Sequence, residues 1–261
     1  MLVAVLGGTG MLGAPVVREL LARGHDVRML SRSAPGQVPD GAEHRPVDVT
    51  TGRGLDAALA GVDTVVDAVS TQRRANEVLV EGVQRVLDAE QRAGVGHHVE
   101  ISIVGCDRVG TAYFRAKVAQ ERLVTAGPVP WTLLRATQFH EFVDDALASA
   151  ARYRIAPHST ARVQPVDVDA VAVRLADAVD AGPSGRLPDL GGPTVYTLTE
   201  ASTLRRTRIR RALLPIRVPT LGRTARALRD GALCVGPGGE TASFDYAAWL
   251  ERRTVSGPTA G

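Results

Sequence analysis

The stretch "VAVLGGTGMLGAPVVREL", residues 3–20, decides how the rest of the chain is read. Residues 2–7 form a short continuous apolar run closed by glycines, the pattern of a strand buried on both faces of a parallel sheet. Residues 11–23 then follow helical periodicity and stop at Gly24. Between strand and helix, Gly7, Gly10 and Gly13 have the spacing GxxGxxG. A pyrophosphate needs such a loop: a backbone turn clear of Cβ atoms, free N–H groups at a helix start, and the positive end of the helix dipole. Gly7 makes the turn, Gly10 permits close approach of a ligand, and Gly13 lets the helix pack on the sheet. Thr9, Met11 and Leu12 complete the expected nucleotide loop.

Strand and helix go on alternating. Strands are expected at 25–32, 43–49, 63–70, 97–105 and 131–137, with helices at 55–61, 74–93 and around Tyr113. Buried strands separated by helices predict a parallel sheet covered on both faces, doubly wound by right-handed crossovers, with ligands at the carboxyl ends of the strands. Beyond Gln138 the alternation loosens into helical stretches at 139–151 and 167–181, a short strand near 162–166, and Pro/Gly breaks. The predicted organisation is a nucleotide-binding core over 1–137, a smaller interleaved substrate lobe over 138–255, and a disordered tail over 256–261.

The end of the second strand selects the nucleotide. It reads "MLSRS", with Ser31 and Arg32 and no acidic residue to hold a ribose 2′-hydroxyl. An arginine fork suits a 2′-phosphate, so NADP(H) is the expected cofactor. Asp48 and Val49, after the third strand, are candidates to meet the adenine, and Ser70, closing the fourth, is a further cofactor candidate.

Bulk properties bound the class. The formal net charge is +3, and the two cysteines, Cys106 and Cys234, fit no metal or CxxC spacing, so reduced thiols and no metal site are expected. No apolar run reaches the ~18 residues a membrane span requires, and the start is wrong for a signal peptide, so a cytoplasmic protein is expected. The arginine-rich, acid-free stretch from Arg205 to Arg229 reads as a solvated basic face rather than a nucleic-acid site.

GGTGMLG, SRS, "ISIVGCDRVGTAYFRAKVAQE" at 101–121 and "LLRATQFHEF" at 133–142 together resemble the NmrA-like, atypical branch of the short-chain dehydrogenase/reductase superfamily. The resemblance implies a Rossmann-type doubly wound parallel sheet with a smaller C-terminal substrate lobe. It implies three catalytic residues. Tyr113 would give a proton to a carbonyl oxygen, Lys117 would make the phenol a better acid and hold the nicotinamide ribose, and Ser102 would polarise the carbonyl. Thr137, Gln138 and Phe139 would meet the nicotinamide, with His140 and Glu141 as alternative proton donors. Two functions follow as expectations: an NADPH-dependent reductase of a small apolar carbonyl compound, such as a quinone or an aromatic or cyclic ketone, or a non-catalytic NADP(H)-sensing regulator that binds a protein or nucleic-acid partner.

Overall fold

The computed structural model describes residues 1–209, 213–217 and 222–255. The expected tail at 256–261 lies outside them, as do residues 210–212 and 218–221 of the basic stretch. The chain divides into two compact units, each drawn from separate segments.

The first unit comprises Met1–Ser102, Gly110–Arg135 and Val168–Leu187. It opens with β1 (Leu2–Leu6), α1 (Gly13–Ala22), β2 (Asp26–Ser31) and β3 (Ala42–Pro46). Then come α2 (Leu55–Leu59), β4 (Thr64–Asp67), a π-helical turn (Glu77–Gly82) that runs into α3 (Val83–Ala93), and β5 (His97–Ile103). α4 (Ala112–Ala126) and β6 (Trp131–Ala136) follow.

The strand order is β3-β2-β1-β4-β5-β6, and the recorded pairings of β2 with β3, β1 with β2 and β4, and β4 with β5 are parallel. This is the doubly wound Rossmann-type sheet, whose order reverses between β1 and β4. The apolar run that announced β1 is the centre of the sheet: Val3, Ala4 and Val5 are wholly buried. On one face Leu6, Leu30 and Val65 pack with Leu55 and Leu59 of α2 and Val86 of α3. Just after α1, its C-cap residue Arg23 bonds Asp180 (2.7 Å) and Asp177 (2.9 Å) of the helix Val168–Ala181. That helix therefore belongs with the nucleotide-binding core, although sequence position alone puts it in the second lobe.

The second unit comprises Ile103–Val109, Ala136–Asp167 and Pro188–Gly261. Its core joins Val143 and Leu147 of the helix His140–Arg152 to Ala201, Tyr246, Trp249 and Leu250. Two short sheets pair Ile155–His158 with Leu214–Arg217 in parallel and Arg162–Val163 with Tyr196–Thr197 in antiparallel fashion. Cys106 and Cys234 are buried. Within the basic stretch Arg205 Nε donates to Asp144 (2.6 Å). No helix of the described residues is long and apolar enough to cross a membrane.

Candidate active site

The glycine loop leaves β1 through Gly7, which has φ +72°, a conformation open to glycine. A Cβ on Gly13 would stand 2.0 Å from the Gly7 carbonyl oxygen and 2.8 Å from Gly8 Cα, so the start of α1 lies directly against the turn. Gly10 differs: a Cβ there would meet a single neighbour within 4 Å, the Gly7 oxygen at 3.1 Å, and otherwise faces open space. The first turn of α1 has no side-chain cap and no acidic residue, so nothing there opposes an anion drawn to the positive end of the helix dipole. These residues fit a dinucleotide pyrophosphate. Thr9 and Met11 are exposed on the loop, and Leu12 is buried beneath it.

Arg32, after β2, is exposed. Ser31 Oγ donates to the Ser33 carbonyl (2.7 Å) and pairs with His44 Nε2 (3.0 Å), a contact that ties the end of β2 to β3. Asp48 accepts from the backbone N–H (2.9 Å) and hydroxyl (2.7 Å) of Thr50. Those bonds, with help from the Arg32 charge, hold its carboxyl below the usual range. Asp48 is thus an ionised turn-former beside Arg32. Val49 is half-buried and packs toward Gly82.

Tyr113 lies in the first turn of α4, which is capped by Thr111 Oγ1 accepting from the Phe114 N–H (3.3 Å). Its phenol is half-buried, and its oxygen stands 2.7 Å from Ser70 Oγ. Ser102, on β5, is 2% exposed. The serine seen on the tyrosine is therefore Ser70, expected from sequence only as a cofactor residue.

Lys117 is one helical turn from Tyr113 but points inward and is 2% exposed. Its ammonium donates to Glu100 Oε1 (3.0 Å), the Ile101 carbonyl (2.7 Å) and Gln120 Oε1 (2.6 Å). All three of its protons have partners in the protein. This differs from the sequence expectation of a lysine directed at the ribose and the phenol. The physical reason is Glu100, a wholly buried carboxylate on β5 that requires a cation.

The same cluster includes His98, whose Nδ1 bonds Glu90 (2.9 Å), and Asp67, which accepts from the Val69 N–H (2.9 Å). Burial by itself would lower the His98 pKa, but Glu90 and Glu100 carry it well above the ordinary value. Burial, reinforced by the Glu100 charge, raises Asp67 to about 7. Asp67, His98 and Glu100 place ligand-type atoms within 4.8 Å of one another. Gln120 Nε2 already donates to Glu100 Oε2 (3.0 Å), and Lys117 and a charged His98 supply the positive charge, so the cluster is an internal ion network. The one hint in the sequence is the run "HHVE" inside an otherwise apolar strand.

The remaining candidates lie in the second unit. Thr137 is buried, its N–H donating to the Leu190 carbonyl (2.9 Å) and its hydroxyl to the Gln164 carbonyl. Gln138 Nε2 donates to the Leu233 carbonyl (3.0 Å), and Phe139 is the N-cap residue of the following helix. The side chains of Thr137 and Gln138 thus serve that unit's internal bonding. His140 is wholly buried against the rings of Phe244, Tyr246 and Trp249, and burial lowers its pKa to about 4. A neutral, enclosed imidazole is no proton donor to a substrate, which corrects that alternative. Glu141 accepts from Trp249 Nε1 (3.2 Å), and burial raises its pKa.

Among curated proteins the chain is 33% identical over 159 residues to the 3 beta-hydroxysteroid dehydrogenase/Delta 5-->4-isomerase of Mycobacterium tuberculosis, covering 48% of this chain and 42% of that protein. It is 35% identical over 112 residues to the photosystem II assembly factor Ycf39 of Synechocystis, covering 40% and 34%. The chain spans less than half the length of these curated relatives. In structure it is similar to an NADPH-dependent quinone oxidoreductase of Escherichia coli, with a TM-score of 0.75 and 17% identity, covering 96% of this chain and 98% of that one. The model of the NAD(P)H-binding family matches residues 7–180, from the first glycine of the loop to the helix that Arg23 clasps. The chain therefore belongs to the NAD(P)H-binding family.

Proposed function

We propose that this protein is an NADPH-dependent reductase of a small apolar carbonyl compound, a quinone or an aromatic or cyclic ketone. The observation that carries the reading is the Tyr113 hydroxyl, bonded to Ser70 where β4 ends beside the glycine loop. The likeness to a quinone oxidoreductase supports the substrate class, and Arg32 with no acid at the end of β2 supports NADPH over NADH.

The dinucleotide, when bound, supplies a hydride to the carbonyl carbon. The residues of this chain do the rest. The glycine loop and the start of α1 would hold the pyrophosphate, Arg32 would meet the 2′-phosphate, and Asp48 and Val49 would border the adenine. Tyr113 Oη would give its proton to the carbonyl oxygen, where negative charge develops on reduction. Ser102, on β5, would polarise the carbonyl.

The inward bonding of Lys117 also favours a second reading, a nucleotide-binding regulator without turnover. NADPH consumption over a panel of quinones and ketones, with wild type beside Tyr113→Phe, separates the two. Turnover that falls at least a hundredfold in the variant is expected for the reductase. Tight NADPH binding with no turnover by either protein would replace it with the regulator.

A further inference from the structure

We propose that Ser70 is the positioning residue of Tyr113 and the group that returns a proton to it from solvent, a role the family pattern gives to neither residue pair seen here. The chemistry rests on the reductase reading; the placement rests on geometry within the first unit.

Ser70 is held by the same backbone that walls the glycine loop. β4 ends at Asp67, whose carboxylate accepts from the Val69 N–H (2.9 Å) and so fixes the turn that follows. The next residue, Ala68, donates its N–H to the Leu6 carbonyl (3.0 Å), and its own oxygen lies 3.2 Å from where a Cβ on Gly7 would stand. Ser70 follows two residues later with its side chain exposed, and its hydroxyl meets Tyr113 Oη at 2.7 Å. One bond therefore ties the phenol to the wall of the nucleotide cradle.

The usual partner for such a phenol, the lysine one turn along the helix, is turned away. Lys117 directs its three protons to Glu100, Ile101 and Gln120. Ser70 is the hydroxyl placed to donate to Tyr113 once the phenol has given up its proton. The step balances. The Tyr113 proton passes to the substrate oxygen, the Ser70 proton passes to Tyr113 Oη, and a proton from solvent water passes to Ser70 Oγ in one concerted shift. The phenol and the serine end as they began, and the water's hydroxide is neutralised by buffer. Exposure of Ser70 to solvent is what the last transfer requires.

The test compares wild type with Ser70→Ala, Ser70→Thr, Tyr113→Phe and the Ser70→Ala/Tyr113→Phe double variant. Loss of a hydrogen bond to a charged oxygen is expected to lower kcat at least about tenfold in Ser70→Ala, with a smaller change in NADPH affinity. Ser70→Thr should recover most of that loss, and the double variant should be no slower than Tyr113→Phe alone. A wild-type kcat in Ser70→Ala, or losses that multiply fully in the double variant, would overturn the proposal.

A second readout needs no turnover. With tyrosine carrying ¹³C at Cζ, the chain gives four tyrosine signals, and the one absent from Tyr113→Phe is identified. That signal should move in Ser70→Ala and return in Ser70→Thr. A signal indifferent to Ser70 would refute the pairing. A signal that responds, in a protein that reduces no carbonyl, would leave the Ser70–Tyr113 bond standing while the reductase reading fell and the proton-return role with it.

Discussion

Replacing Lys117 with methionine removes an ammonium from a place that water does not reach. The side chain is 2% exposed, and its partner Glu100 is wholly buried at 3.0 Å. Methionine fills similar volume, so the main loss is electrostatic and in hydrogen bonds. Breaking one side of a buried ion pair costs about 3–5 kcal/mol, because the remaining carboxylate is left without its cation. The Ile101 carbonyl and Gln120 Oε1 also lose a donor, but protonation of the acids nearby relieves part of the strain, so the lower half of that range is expected. For a chain of this size each kcal/mol is roughly 2–4 °C in Tm, giving a fall of about 6–16 °C. Thermal unfolding followed by circular dichroism at neutral pH measures it. Tyr113→Phe, which touches a half-buried phenol and one exposed partner, should shift Tm by only about a third as much or less on the same scale. The double variant Lys117→Met/Glu100→Gln should regain part of the loss, since the orphaned charge is gone. A Lys117→Met protein melting within about 2 °C of wild type, on the scale just used, would refute the reasoning and return the lysine to the cofactor.

Asp67 carries a pH prediction. Its carboxyl is raised to about 7 in the folded protein by burial and by Glu100, against about 3.9 in an unfolded chain. The folded state then holds the proton that the unfolded state releases, so this group's contribution is full below about pH 4 and is lost as pH rises toward 7. Asp67→Asn, which keeps the shape without the titration, should flatten that part of the stability curve; urea midpoints at several pH values would show an unchanged slope if the assignment is wrong. Gly10→Val should leave a folded protein without nucleotide binding, because the added atoms enter the open face of the loop. Gly13→Ala should instead destabilise the fold, since its Cβ would collide with the Gly7 backbone at 2.0 Å; equal melting temperatures for the two variants would contradict this. Arg32→Ala should weaken NADPH about tenfold or more and NADH far less by calorimetric titration, the loss of a charge-assisted bond to phosphate. Equal losses would remove the 2′-phosphate assignment.

The local pattern of the chain determined the fold. A run as short as LVAVL, closed by glycines, suits a strand inside a sheet covered on both faces, and those glycines announce the turn to α1. The spacing of Gly7, Gly10 and Gly13 anticipated the turn at Gly7, where φ is +72°, and the tight packing at Gly13, because each follows from the missing Cβ. The four-residue step from Tyr113 to Lys117 likewise placed both on one helix. Tertiary structure decided what those two side chains meet. Whether Lys117 reaches a ribose or the core depends on Glu100 of β5, at which the run HHVE only hints and whose pairing with the helix is a matter of the assembled fold. The contact of Ser70 with Tyr113 depends on the turn after β4, brought beside α4 only when the sheet is assembled, where Ser70 Oγ stands 2.7 Å from the phenol oxygen. The helix Val168–Ala181 joined the first unit for the same reason: Arg23 and its two aspartates are more than 150 residues apart in sequence and 2.7–2.9 Å apart in the fold. Periodicity is a property of neighbours in the chain, whereas desolvation and ion pairing belong to neighbours in space, and the chemistry of this site rests on the second.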